Sequence, residues 1–107
     1  MNNTDKNNIL YKNVNEMIEQ IIDNNTPRTE MFDKLCDMID TKYEQENKNY
    51  GLLAYVRIFW WDDSDADIDN VADELLSLGQ QWNIDSYAVV NLTDYDATIV
   101  VALHTQK

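Results

Sequence analysis

The chain has 107 residues, 44% of them hydrophobic, with three Trp, six Tyr and two Phe. That is one domain with enough apolar volume for a core, and it excludes a disordered acidic tail. Eight basic against twenty acidic residues give a formal charge of −12, which disfavours direct contact with DNA, RNA or an anionic membrane and favours a basic protein surface.

Residues 1–8 are polar and are expected to fray. No apolar run follows Met1, so neither a signal peptide nor a membrane span is expected, and the expected location is cytoplasmic. Leu10, Val14, Met17, Ile18, Ile21 and Ile22 recur at helical spacing and predict a first helix over 9–23. Asn24-Asn25-Thr26-Pro27 reads as a stop and a restart, with Thr26 as N-cap and Pro27 in the first helical position.

The second helix is predicted to run to about Glu46. Met31, Phe32, Leu35, Met38, Ile39 and Tyr43 form its apolar side. Glu30, Asp33, Asp37, Asp40 and Glu44 lie opposite, within an arc of roughly 80° at about 100° per residue. A solvent face this rich in carboxylate forgoes the lysine partners that usually stabilise such a helix. Cys36, the only cysteine, stands at the edge of the apolar stripe and reads as a small buried thiol, with no disulfide and no cysteine-based zinc site.

Gly51 to Trp61 changes character. Leu52, Ala54, Val56, Ile58 and Trp60 alternate with Leu53, Tyr55, Arg57, Phe59 and Trp61. Both faces are largely apolar, which predicts a central strand. The second face is expected to be covered by the two N-terminal helices; left uncovered, it would suit a homodimer or a docking partner. Arg57 is expected to form a salt link to an acid at the sheet surface.

Asp62 to Asp65 breaks the pattern, and Ser64 is placed to cap a third helix with Asp65 and Asp67 in its first turn. Ile68, Val71, Ala72, Leu75, Leu76 and Leu78 are its expected buried side, and Gly79 is the expected stop, with extension to Trp82 as the alternative. Ile84 to Thr93 and Ala97 to Thr105 predict a hairpin around Asp94-Tyr95-Asp96, with Ala88, Val90 and Leu92 facing inward beside Ile99, Val101 and Leu103. The expected fold is α+β. A helical pair over 9–46 precedes a β-α-β-β unit over 51–105, whose small three-stranded sheet packs against the helices. A right-handed crossover makes the first two strands parallel, with the last inserted between them or at an edge.

The chemistry-bearing residues exclude more than they select. Asp63, Asp65, Asp67 and Asp69 alternate, and Glu74 follows Asp63 by eleven residues, as in a calcium loop. Ile68 occupies the glycine position of that frame, however, and a strand precedes it where a helix is required. The one histidine, His104, reads as a surface or edge-strand residue. No serine sits in a nucleophile turn, and two glycines cannot build a phosphate loop. The reading is a non-enzymatic protein without metal or cofactor.

The acid itself points to a partner. The row on the second helix repeats at about 5.4 Å per turn, close enough to phosphate spacing for side-chain splay to bridge the difference. Asp65, Asp69 and Asp73 read as a second row on the third helix. Asp62, Asp63 and Asp67 add charge, and Trp60, Trp61 and Tyr95 are candidate aromatic anchors.

Small size, low pI, few glycines and clustered acids resemble the phage-encoded DNA-mimic inhibitors of restriction and CRISPR nucleases. The stretch Asp23-Asn24-Asn25-Thr26-Pro27, opening a helix that carries Asp33 and Met38, is similar to a segment of a phage overcome-restriction protein. The likeness covers about a fifth of the chain, and a three-stranded sheet departs from that protein, so neither fold nor target carries over. The resemblance implies inhibition of a nucleic-acid-binding host defence enzyme in the host cytoplasm. The alternative is an interaction or regulatory domain whose acidic surface serves solubility.

Overall fold

A computed structural model describes residues 3–22, 25–47, 51–62 and 68–106, with side chains placed for all of these except 3, 4, 44–47, 68 and 106. The elements are α1 (Asn3–Ile21), α2 (Arg28–Asn47), β1 (Leu53–Trp60), α3 (Ile68–Gln81), β2 (Trp82–Leu92) and β3 (Ala97–Gln106). The fold is α+β, two helices followed by a β-α-β-β unit.

The sheet order is β1-β3-β2, and β3 is antiparallel to both neighbours. The first two strands are therefore parallel, with the last inserted between them, as a β-α-β crossover requires. This corrects the expectation that β1 is central. Its two apolar faces come from helices on both sides of the sheet, and being covered above and below does not make a strand interior to the ladder. β3 is the central strand, and Ala97 through His104 are all buried.

Strand alternation separates the two faces. Ala54, Val56 and Ile58 join Ala88, Val90, Leu92, Ile99, Val101 and Leu103 in the main core. Leu10, Val14, Met17, Ile18 and Ile21 of α1 and Met31, Leu35, Ile39 and Tyr43 of α2 cover that face. Phe59 and Val100 face the other way, against Val71, with Leu75 and Val89 at the margin. The Tyr55, Arg57 and Phe59 face, assigned on sequence to the N-terminal helices, is thus covered by α3. An even-odd strand pattern says that two faces are buried but not which helix buries each.

Boundaries moved for local reasons. Residues 3–8, expected to fray, belong to α1. Lys6 Nζ sits 2.9 Å from Asp85 Oδ1, and the Tyr87 backbone N–H donates to Asn7 Oδ1 at 2.9 Å, so this turn is held on the outer edge of β2. Asp85 is the extra residue where the β2–β3 register shifts between Ile84 and Ser86, a bulge fixed by Lys6. In α2, the Met31 N–H donates to the Pro27 carbonyl at 2.9 Å, which makes Pro27 the capping residue, one place later than Thr26.

α3 runs through Gly79 to Gln81 and β2 starts at Trp82, so the longer of the two expected helix ends is the one found and Gly79 is not a stop. On α3, Val71 and Leu78 are buried, whereas Ala72 and Leu76 are exposed; a single helix over three strands hides a narrower stripe than the sequence offered. The Ser64 cap with Asp65 and Asp67 lies outside the described residues. The hairpin closes through a 3-10 turn, Thr93–Tyr95, with Asp96 left-handed at φ 50° and its N–H 3.3 Å from the Thr93 carbonyl.

Gly51 enters β1 at φ +68° with open space where a Cβ would stand. Only the backbone conformation opposes a side chain there. Gly51→Ala is expected to cost about 1–2 kcal/mol in urea unfolding.

Candidate functional surface

Asp33, Asp37 and Asp40 are exposed on α2 and form no ion pair among the described residues. They project from one side of the helix because Met31, Leu35, Ile39 and Tyr43 hold the opposite side in the core. Glu30, the first acid of the row, differs. Its Oε1 lies 3.2 Å from Lys34 Nζ, one turn on, so it is partly neutralised. The row is therefore not free of lysine partners, as composition alone suggested. The Glu44 side chain lies outside the described residues.

Cys36 reports the field around this face. Its thiol is pushed up to about 11 by partial burial, reinforced by Asp40, Asp33 and Asp37. It is half-buried, more open than the sequence reading, and stays protonated at neutral pH, which leaves it a poor nucleophile.

The second proposed row does not join the first. Asp69 and Asp73 are exposed on α3, across the sheet from α1 and α2. The crossover helix fills the face left by the N-terminal pair, so no single surface presents both rows. Asp63, Asp65 and Asp67 fall outside the described residues.

Other candidates have structural partners. Arg28 grips Asp62 with both terminal nitrogens, at 3.1 and 3.0 Å, and stacks over Trp60 at 4.2 Å. The Arg28 guanidinium hydrogen-bonded to Asp62 lowers the carboxyl pKa below its ordinary value. Arg57 pairs with Glu74, as expected for that strand arginine, and the Tyr55 hydroxyl donates to the same carboxylate. Burial first, and then the Glu74 carboxylate, push the Tyr55 phenol up to about 12. These contacts tie α3 to β1.

Trp61 is 41% exposed, but its indole N–H donates to Thr98 Oγ1 at 2.8 Å, and that hydroxyl donates to Asn91 Oδ1 at 2.8 Å. Tyr95 is half-buried and packs on the main core. Both rings are tied to the fold, Tyr95 through the core and Trp61 through its N–H, and Trp61 keeps part of its ring exposed. Alternation places Trp61 on the Phe59 face, and Thr98 lies on that face too.

His104 corrects the surface reading most clearly. It is 5% exposed on central β3, stacked on Trp82 with centroids 4.2 Å apart and planes 11° apart. Its Nδ1 has no hydrogen-bond partner among the described residues. Burial lowers its pKa, so the folded state holds the ring neutral where the unfolded chain would protonate it. Stability is therefore full above the unfolded pKa and is lost as pH falls from there through the lower folded pKa. Urea unfolding between pH 8 and pH 5 should therefore show the native protein losing stability relative to His104→Phe as the medium acidifies. Parallel pH profiles for the two would contradict this.

Among the described residues no group of three or more His, Cys, Asp or Glu is arranged to hold a metal ion, and no helix is long and apolar enough to cross a membrane. No protein-family model, curated protein or solved structure matches the chain.

Proposed function

We propose that this protein is a non-enzymatic acidic inhibitor that presents the α2 carboxylates to the basic nucleic-acid-binding surface of a host defence nuclease, of the restriction or CRISPR kind. The observation that carries the reading is the exposed trio Asp33, Asp37 and Asp40, fixed on one helix face without ion pairs among the described residues. Asp33 and Asp40 stand about 10.5 Å apart along the axis, with Asp37 between them. A charge of −12 adds long-range attraction to a positive channel and speeds encounter, and added salt weakens both.

The mimicry uses one face. The α3 acids lie behind the sheet and contribute to the field rather than to the contact. The aromatic residues assigned on sequence hold contacts within the fold, so recognition draws mainly on charge and on what lies beside α2.

The alternative, a regulatory domain whose acid serves solubility, is favoured by the pairing of Glu30 with Lys34 and of Asp62 with Arg28, the usual fate of surface acids. Immobilised protein in bacterial lysate at low salt, developed with a salt gradient, separates the two. The inhibitor reading expects a basic nuclease that elutes early in the gradient and is also released by duplex DNA. Recovery of only neutral or acidic proteins, or of a nuclease indifferent to DNA, counts against it.

A further inference from the structure

The two edges of the sheet are treated differently. The edge of β2 is managed: a bulge at Asp85, the Lys6 ion pair and the Asn7 acceptor on the Tyr87 N–H cover it. Among the described residues the edge of β1 has no such device. Leu-Ala-Tyr-Val-Arg-Ile-Phe-Trp runs eight residues with no Pro, Gly or register shift, and its one charge, Arg57, is tied to Glu74.

The direction of its open backbone groups follows from the ladder. The Trp61 N–H donates to the Asp96 carbonyl at 2.7 Å, continuing the β1–β3 register. In an antiparallel pair the bonded positions alternate, so Tyr55, Arg57 and Phe59 face β3. Ala54, Val56, Ile58 and Trp60 turn their N–H and C=O groups outward. The β2 side agrees, since Tyr87 opposes Ala102, whose bonds go to Tyr55, and its own N–H points away.

What overhangs this edge is acidic. α1 packs over β2 and α2 over β1, so the flank of α2 turned from α1 lies above the open edge. Lys34, Asp37, Met38 and Thr41 line the groove toward α1. At about 100° per residue, the opposite flank carries Phe32, Cys36, Asp33 and Asp40. It is half-buried and apolar at its base and carboxylate at its rim.

We propose that the open edge of β1, with Asp33 and Asp40 above it, takes an extended Lys- or Arg-bearing segment of the partner as a fourth strand. The inference deepens the inhibitor reading and rests on it for the partner's charge. Main-chain pairing supplies the affinity that the engaged aromatics do not, and alternate basic side chains reach the rim. A second copy is the poorer occupant, because β1-to-β1 pairing about a twofold would bring the two Asp33 and Asp40 flanks together.

The test is amide hydrogen exchange read by NMR, with a ten-residue peptide alternating Lys and Val as probe. Expected is at least tenfold slower exchange at Ala54, Val56, Ile58 and Trp60 on binding. Asp33→Asn with Asp40→Asn should weaken the peptide at least tenfold, while Asp73→Asn on the far helix leaves it unchanged. Peptide binding without protection of those four amides, equal binding of a Glu–Val peptide, no binding, or protection arising from self-association alone each overturns the proposal. A nuclease captured through Asp33 and Asp40 that leaves the four amides exchanging removes the strand-addition inference and keeps the inhibitor reading. Protection by the Lys–Val peptide with no nuclease partner supports the edge site and removes the inhibitor reading.

Discussion

Asp33→Lys combined with Asp40→Lys is expected to weaken partner binding by at least ~100-fold near 0.1 M salt, through attraction lost and like charge gained. Both positions are exposed and take no part in the core, so far-UV circular dichroism and the urea midpoint should stay close to native. Stability is expected to hold or rise slightly, because two negative charges are replaced by two positive ones and the net charge falls in magnitude from −12 to −8. Glu30→Lys should do far less, since Glu30 already faces Lys34. Asp69→Lys with Asp73→Lys is the matched control on the other face of the sheet. If that pair proves as damaging as the α2 pair, net charge explains the binding and no shaped face is needed. The quantity to measure is the dissociation constant at three salt concentrations for each variant, with the salt slope shallower for the α2 pair.

The second large effect is on the fold. Ile99→Ala is expected to cost about 3–4 kcal/mol, a large part of the stability of a domain this size. Ile99 is fully buried on the central strand and points into the main core beneath α1 and α2. Val100, its neighbour on β3, is equally buried but faces the smaller cluster beneath α3. Val100→Ala removes fewer atoms from a smaller cluster and should cost about 1–2 kcal/mol. The difference matters for function, because the core that seats α2 also fixes the direction of its carboxylates. Equal urea midpoints for the two variants would contradict the division into a major and a minor core.

Much of this architecture was legible in residue spacing. The period of the α1 and α2 apolar residues, the β1 alternation and the hairpin pairing of Ala88, Val90 and Leu92 with Ile99, Val101 and Leu103 all correspond to observed contacts. The crossover rule placed β1 parallel to β2 and admitted β3 between them. What spacing could not supply was assignment across layers. An apolar strand face looks the same whichever helix covers it, so spacing makes β1 a central strand and does not reveal α3 as its cover. His104 was misplaced for a related reason: a polar residue at the end of a strand reads as surface, and only the Trp82 ring stacked on it explains its burial.

The candidate surface was legible in part. Helical geometry alone placed Asp33, Asp37 and Asp40 on one exposed face. Pairing was not visible, because Arg28 and Asp62 are thirty-four positions apart and meet only once α2 lies over the end of β1. The same packing puts the α3 acids behind the sheet, which no count of carboxylates could reveal. The open β1 edge emerged only from the strand order, where a strand with two apolar faces proved to have a free side.

Inhibition of the proposed kind requires α2 to occupy the place of a nucleic acid. The direct measurement is a fluorescence titration of the captured nuclease with labelled duplex DNA at increasing concentrations of this protein. Competitive displacement is predicted, with DNA lost in step with protein bound, and with an inhibition constant that weakens steeply as salt rises. A ternary complex in which DNA and protein sit on the nuclease together, each at its unperturbed affinity, would contradict it.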